Sequence, residues 1–296
     1  MSESKLGKLA LQERTRREIL HKSDLIPPLP DVVVRVMALL NQGDIEPEDL
    51  EQHLRYDQVL VAKMLGLVNS PFYGMNRKIS SIRDAVMVMG FRGLRSLILA
   101  TSTADYLMSD FTSYGHSTKG LWQHSLAVAS GAKTLAKSIG LCQEAQEELF
   151  VAGLLHDIGK MLVGPYLQER NIEFASAPIE MVQVERDTIG IDHTEAGALV
   201  AAKWNLSTMV QELLRSHHGA AEVPEESRAH LAVLRIVDAV AHEAMIGYRE
   251  ECKPNTAISA EDRSFADASG KDWEETKLEI QEAMKAALAG LSRICS

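Results

Sequence analysis

The sequence predicts an all-α fold, and three observations carry that reading. Apolar residues recur at three- and four-residue spacing along nearly the whole chain. Alternating apolar/polar runs of the kind that make half-buried strands are almost absent. Pro, Gly and Asn interrupt the periodic runs at intervals that suit helices of ordinary length. A chain of 296 residues is long enough for one large domain or two ordinary ones.

Residues 3–22 read as an amphipathic helix with Leu6, Leu9, Ala10, Glu13 and Arg17 at helical spacing, broken by Ile26-Pro27-Pro28-Leu29-Pro30. Asp31 is placed to cap a helix that runs to Leu40 and ends at Gly43-Asp44. Pro47 suits the first turn of a short helix to Arg55. Asp57 caps the next, through Val68, and Asn69-Ser70-Pro71 stops it ahead of a turn at Phe72-Tyr73-Gly74. Ser80 to Asp84 opens a long helical region reaching about Met108, weakened in the middle by Gly90 and Gly93. The polar Ser109–Gly120 stretch reads as a linker, dividing the chain into lobes at residues 1–113 and 114–296. Helices are expected at about 120–139, 144–162, 178–189, 193–204, 207–218 and 228–248. Residues 253–271 are polar and turn-rich and read as a mobile loop, and a last helix runs from about Trp273 to Leu291.

Composition narrows the function. Lys and Arg number 31 against 41 Asp and Glu, a net charge of −10, which argues against a protein that holds nucleic acid or an anionic membrane by bulk charge. No apolar run of membrane-spanning length stands out, and the charged start does not resemble a signal core. Cys142, Cys252 and Cys295 are scattered, so they read as free thiols of a reducing cytoplasm and not as a thiolate zinc site. The chemistry is therefore left to His, Asp, Glu and Lys.

His124 lies on an apolar stripe with Leu121, Val128 and Leu135. His156-Asp157 closes the apolar run Phe150–Leu155, flanked by Gly153 and Gly159, with Lys160 one turn on. His193 stands at a helix start, where Asp192 and Glu195 have capping-box spacing. His217-His218 precede Gly219 at a helix end, and Asp238 shares a helical face with Leu234, Ala241 and Met245. Each has an ordinary reading when taken alone. His124 could be a hydrogen-bonded core histidine, His193 a cap-region residue, His217-His218 a solvated helix end, and Asp238 the partner of Arg235 or His242. Together they point to metal, because two inward carboxylates are costly to bury unless a cation is close. Seven mixed N/O donors exceed one octahedral shell once waters are counted and suit a pair of ions bridged by a carboxylate. Imidazole-rich donors favour iron or manganese, with magnesium less suited. Arg77, Lys78, Arg83, Arg92 and Arg95 make a locally basic stretch that reads as a solvated face, a docking surface for an acidic partner being the minor alternative.

The order His124, His156-Asp157, Asp238 resembles the HD superfamily of metal-dependent phosphohydrolases. Gly153-Leu-Leu-His-Asp-Ile-Gly-Lys160 is similar to the HD-GYP branch, the cyclic-di-GMP phosphodiesterases. Leu25-Ile-Pro-Pro-Leu-Pro30, Asn69-Ser-Pro-Phe-Tyr-Gly74, Ile82-Arg-Asp-Ala-Val-Met-Val-Met-Gly90 and Trp204-Asn-Leu followed by His217-His218 resemble the HDOD domain. The resemblance covers roughly residues 20–245. It implies a two-lobed helical HDOD bundle in bacterial signal transduction, a family in which many members look degenerate at the metal ligands and act as binding or regulatory modules.

Here His124, His156, Asp157, His193, His217, His218 and Asp238 match the ligand positions of the HD-GYP pattern, and Lys160 matches its phosphate-side lysine. The Gly-Tyr-Pro turn does not follow: the chain reads Gly219-Ala-Ala-Glu-Val-Pro224, and Gly247-Tyr248, distant in sequence and without the proline, reads as unrelated. Two functions stand. One is a cytoplasmic signalling module with a metal site, working mainly through a protein partner. The other is a binuclear phosphohydrolase or phosphodiesterase acting on a nucleotide or cyclic dinucleotide, with Asp157 bridging the ions and Lys160 neutralising a phosphate oxygen. No nucleic-acid or membrane partner is expected, no receiver or kinase domain is recognised, and a homodimer through the N-terminal helix is compatible.

Overall fold

The structure, a computed structural model, describes residues 10, 12–19, 26–42, 45–172, 178–219, 223–250, 252 and 257–290. It is built of helices, and among the described residues the sole strand-like pairing is one antiparallel bridge between His116 and Tyr248. The expected all-α class is therefore what the chain adopts.

The first helix, α1, covers residues 12–19 within the expected 3–22; residues 3–9, 11 and 20–22 lie outside the described set. It is tied to the second half of the chain by an Arg16–Glu195 ion pair of 2.8 Å. Next come α2 (Asp31–Gln42), α3 (Pro47–Leu54) and α4 (Gln58–Val68). Pro30, not Asp31, is the capping residue of α2, because its carbonyl accepts from Val33 and Val34 while Asp31 is already helical. The expected stop at Gly43-Asp44 lies outside the described residues. Asp57 caps α4 through a bond from the Leu60 amide of 2.9 Å.

The long helix α5 (Ile82–Leu107) is two helices joined at Gly90, whose φ of 71° is a conformation glycine adopts without strain. Its second half is almost wholly buried. By length and composition α5 could cross a membrane, yet 56% of its apolar window is covered by other helices, as in a core helix. The basic stretch along it is largely neutralised: Arg77 pairs with Asp84 at 3.5 Å, Arg83 with Glu48 at 2.8 Å and Arg92 with Glu144 at 3.0 Å. That is the solvated-face reading.

After a short 3-10 turn at Thr112–Tyr114 follow α6 (Gly120–Ser138), α7 (Gln143–Leu155), α8 (Lys160–Gln168), α9 (Pro178–Ile189), α10 (His193–Lys203), α11 (Thr208–Ser216) and α12 (Glu225–Glu243). The expected helix at 144–162 is split. The chain turns at residues 156–159, and there a Cβ on Gly159 would overlap the carbonyl of His193, so only glycine lets α10 approach this closely. The stretch 253–271 is not simply a loop. Within it Ser259 caps α13 (Ala260–Ala266) by accepting from the Asp262 amide at 2.9 Å, and Arg263 lies over the Trp273 ring at 4.9 Å; residues 253–256 are outside the described set. The last helix, α14 (Trp273–Ala289), packs along α6.

A continuous apolar core runs from α2 through α14, with α6 and α7 paired at its centre. Two segments singled out in the sequence stitch the early and late helices together. The proline-rich run is held from α5 and from the α10 end: Tyr106 donates to the Pro28 carbonyl at 2.8 Å, Trp204 to Pro27 at 3.0 Å and Lys203 to Ile26 at 3.1 Å. At the end of α4, Asn69 clasps the loop that follows. Its Nδ2 donates to Leu65 and Ile79 carbonyls, both at 2.7 Å, and its Oδ1 accepts from the Ile79 amide at 2.8 Å. The clasp presents Phe72 to Phe150 of α7, with ring centroids 6.1 Å apart.

Replacing Asn69 with Ala should orphan both backbone groups of the buried Ile79. The expected loss is about 1–3 kcal/mol of unfolding free energy, read as a lower denaturant midpoint at unchanged slope.

Candidate metal centre

Four helix ends and two helix faces converge on one buried point. His124 comes from the inner face of α6 and Asp238 from that of α12. His156 and Asp157 follow the last turn of α7, Lys160 opens α8, His193 is the first residue of α10, and His217-His218 follow α11. Helix ends suit this task because their unpaired backbone groups can fix the rings. His156 Nδ1 donates to the Gly153 carbonyl at 2.8 Å, and His217 Nδ1 to the Leu214 carbonyl at 2.7 Å. His193 is fixed by a carboxylate instead: Glu185 Oε2 accepts from its amide at 2.9 Å and from its Nδ1 at 2.7 Å. Asp192 caps α10 through the Thr194 and Glu195 amides, both 2.9 Å away, while Glu195 turns to Arg16 and does not close the capping box.

All seven residues expected as ligands meet here. Their donor atoms fall into two groups, each within 4.8 Å: Asp157, His193, His217 and His218 in one, and His124, His156 and Asp238 in the other. Asp157 stands between them. Its Oδ1 faces His193 Nε2 at 3.5 Å and His217 Nε2 at 3.9 Å, and its Oδ2 faces His156 Nε2 at 3.3 Å and His124 Nε2 at 4.0 Å. Asp238 Oδ1 lies 3.0 Å from His124 Nε2 and 3.5 Å from His156 Nε2. Lys160 does not reach outward: its Nζ donates to Asp157 Oδ2 at 2.6 Å and sits 5.2 Å above the Tyr114 ring.

The electrostatics follow from burial. Desolvation pushes both carboxylic acids up, but His156 and Lys160 more than offset this for Asp157, and His242, His124 and His156 do so for Asp238. Both are held well below the usual carboxylate range. Burial drives the imidazoles the other way: His124 falls to about 4, His217 to about 3, and His218 is lowered well below its ordinary value. His156 is the exception, since Asp157 and Asp238 outweigh its desolvation and push it up to about 10. The three lowered rings keep free lone pairs at neutral pH.

The donor set fits a metal. His156 Nε2, His193 Nε2, His217 Nε2 and Asp157 Oδ1 are buried and lack a hydrogen-bond partner. Buried polar atoms are rarely left unpaired. Here they share one centre, and for the three rings the opposite nitrogen is the one pinned by backbone or carboxylate. That is the arrangement by which proteins aim imidazole ligands.

Sequence reasoning passed over four residues of this site. Glu185 is wholly buried on α9 between Val182 and Ile189, the same inward-carboxylate signal that marks Asp238. Tyr114, in the segment read as a linker, donates to Glu185 Oε1 at 2.7 Å. His116 is buried with an unpartnered Nε2, its ring 6.0 Å from that of His124. Tyr248, set aside with Gly247 as unrelated, is in contact with the site: its hydroxyl is 2.8 Å from His242 Nε2, and its ring 5.5 Å from that of His124. Distance along the chain concealed this, because α12 carries Tyr248 back to the turn that contains His116.

Known proteins place this arrangement. The HDOD domain family model matches residues 26–220. An uncharacterised protein of Treponema pallidum (strain Nichols) is 31% identical over 217 residues, 70% of this chain and 40% of that protein. Ribonuclease Y of Pseudothermotoga lettingae is 26% identical over 219 residues, 73% of this chain and 36% of that enzyme. The chain thus spans two fifths or less of the curated relatives it matches. A solved HDOD domain protein of unknown function from Geobacter sulfurreducens superimposes with a TM-score of 0.67 at 30% identity, covering 95% of this chain and 97% of that one. With its proline-rich segment, Asn69 loop, Trp204 anchor and paired histidines in one helical bundle, the chain belongs to the HDOD domain family.

Proposed function

We propose that this chain is a bacterial, cytoplasmic HDOD signalling protein whose HD-type centre binds two divalent ions and which acts mainly through a protein partner. The observation that carries the metal part is the position of Asp157, with one oxygen toward His193 and His217 and the other toward His156 and His124. One ion would be held by His193, His217 and His218, the other by His124, His156 and Asp238, with Asp157 common to both. Iron or manganese suits this imidazole-rich set better than magnesium. A divalent ion here supplies Lewis acidity for a phosphoryl or water oxygen. The enclosure of the centre favours a regulatory role: His218 is partly exposed, whereas the other six donor residues are buried.

A second reading, a metal-dependent phosphohydrolase, is favoured by one observation. His218 borders a cleft of about 530 Å³ lined also by Arg228, Arg235, Leu231 and Phe265. Arg228 is exposed there, while Arg235 is engaged by the Ser216 carbonyl at 2.8 Å and the His217 carbonyl at 3.2 Å. The carboxylates of Glu261 and Asp262 also line the cleft, which offers one route by which a small ligand would reach His218.

Elemental analysis of protein purified without added metal should find about two ions per chain, lost in an Asp157→Ala/Asp238→Ala variant. A metal-free protein that takes up none on reconstitution would overturn the metal reading. With the ions present, turnover of a panel of phosphate mono- and diesters at ordinary enzymatic rates would favour the hydrolase over the signalling module. The Lys160–Asp157 pair gives a separate check. Lys160→Met should leave Asp157 Oδ2 without its ammonium partner and cost the metal-free protein about 3–5 kcal/mol. Added Mn²⁺ should restore more of the melting temperature in this variant than in the wild type, because the ion supplies the missing positive charge.

A further inference from the structure

We propose that Tyr114 and Tyr248 are positioning residues for the metal centre, one serving each donor group, and that a backbone strap joining their segments sets both at once. This rests on the reading that the two groups hold metal, and it concerns residues that lie outside both.

The first arm runs from Tyr114 to His193. The Tyr114 hydroxyl donates to Glu185 Oε1 at 2.7 Å, and Glu185 Oε2 accepts from His193 Nδ1 at 2.7 Å. His193 Nδ1 thereby carries the proton, and its Nε2, buried and without a hydrogen-bond partner, is left to face Asp157 at 3.5 Å. A carboxylate on the far side of a ligating imidazole fixes its tautomer and raises its basicity.

The second arm runs from Tyr248 to Asp238. His242 Nδ1 is 3.0 Å from Asp238 Oδ1 and 2.9 Å from the Asp238 carbonyl. Both are acceptors, so Nδ1 carries the proton and Nε2 accepts from the Tyr248 hydroxyl at 2.8 Å. The Asp238 oxygen that meets His124 at 3.0 Å is thus the one held by His242, a ring that is itself oriented by a tyrosine. The two arms share no side chain.

They do share a support. Residues 111–117 and 247–250 run antiparallel: the Ser117 amide donates to the Gly247 carbonyl at 2.9 Å, the Arg249 amide to the Gly115 carbonyl at 3.0 Å, and His116 bridges Tyr248. Cys252 closes the end of the strap with a contact from its Sγ to the Gly115 carbonyl at 3.4 Å. Tyr114 and Tyr248 project from this strap, and their hydroxyls end on different donor groups.

The test is Mn²⁺ titration of metal-stripped full-length protein by calorimetry, with elemental analysis of the endpoint, on the wild type, Tyr114→Phe, Tyr248→Phe and the double variant. Phenylalanine keeps the ring and removes the hydroxyl. Each single variant should weaken one of two binding steps by about 10- to 100-fold, the two variants should affect different steps, and the double variant both. Wild-type affinity at both steps in both variants would overturn the proposal, as would equal weakening of both steps by each variant. A merely structural role would lower the melting temperature of the metal-free variants and leave the affinities in place, which also overturns it. Failure of the underlying metal reading shows separately, as a wild-type protein that takes up no Mn²⁺.

Discussion

Two carboxylates stand inside an apolar helical core, Asp157 at 1% exposure and Asp238 at 6%, and the later half of the chain is arranged around the need to balance them. An isolated buried carboxylate is too costly to persist. The protein supplies two cationic groups of its own. One ammonium, Lys160, meets Asp157, one raised imidazole, His156, lies between the two acids, and the lowered rings of His124 and His217 contribute lone pairs and no charge. The two uncharged imidazoles facing the carboxylates add no counter-charge and offer donor lone pairs. A cation from outside the chain would meet the remaining donor atoms, which is the physical content of the metal reading.

Helix termini make this arrangement possible at low cost to the fold. A histidine inside a helix reaches the carbonyl four residues back, as His242 does, whereas one just past a helix end finds an unpaired carbonyl three residues back. His156 and His217 both use that carbonyl. His193, at the opposite kind of terminus, meets backbone donors rather than acceptors, so a carboxylate from α9 must serve it. The close approach of α10 to the turn after α7 then brings the two kinds of terminus together. The early helices supply no ligand, but their proline-rich segment is bonded to residues at the end of α10, so they brace the element that begins with His193.

Helix identity and most boundaries were legible from periodicity and caps, since Asp57 and Asp192 each act on their own next turn. The cap at Ser259 was nonetheless submerged in a polar composition that reads as loop. The break after Leu155 was not legible, because it depends on a partner helix approaching Gly159 from some thirty-four residues away. The seven donors were visible as titratable residues on apolar stripes or beside glycine. The second layer was visible only in part: Glu185 sits on such a stripe, whereas Tyr114, His116 and Tyr248 lie in irregular segments, where no periodicity says which way a side chain faces. For these the pairing of residues 111–117 with 247–250 is the missing information, and it is a non-local contact.

Lys160 shows how the same residue can suit either proposed role. Its position invites a phosphate, yet its ammonium is bonded to Asp157 Oδ2 at 2.6 Å and enclosed beneath Tyr114. While it neutralises that oxygen it cannot also meet an anion at the mouth of the site. A divalent ion held beside Asp157 would share in neutralising that oxygen, so the charge Lys160 could offer a phosphate would depend on occupancy of the centre. In a hydrolase that dependence couples substrate binding to metal loading. In a signalling protein it makes the packing of Lys160, and of the Tyr114 ring above it, differ between loaded and metal-free states. Tyr114 belongs to the hydrogen-bonded strap that also carries Tyr248, so a change that begins at one buried carboxylate has a route to the residues behind the other.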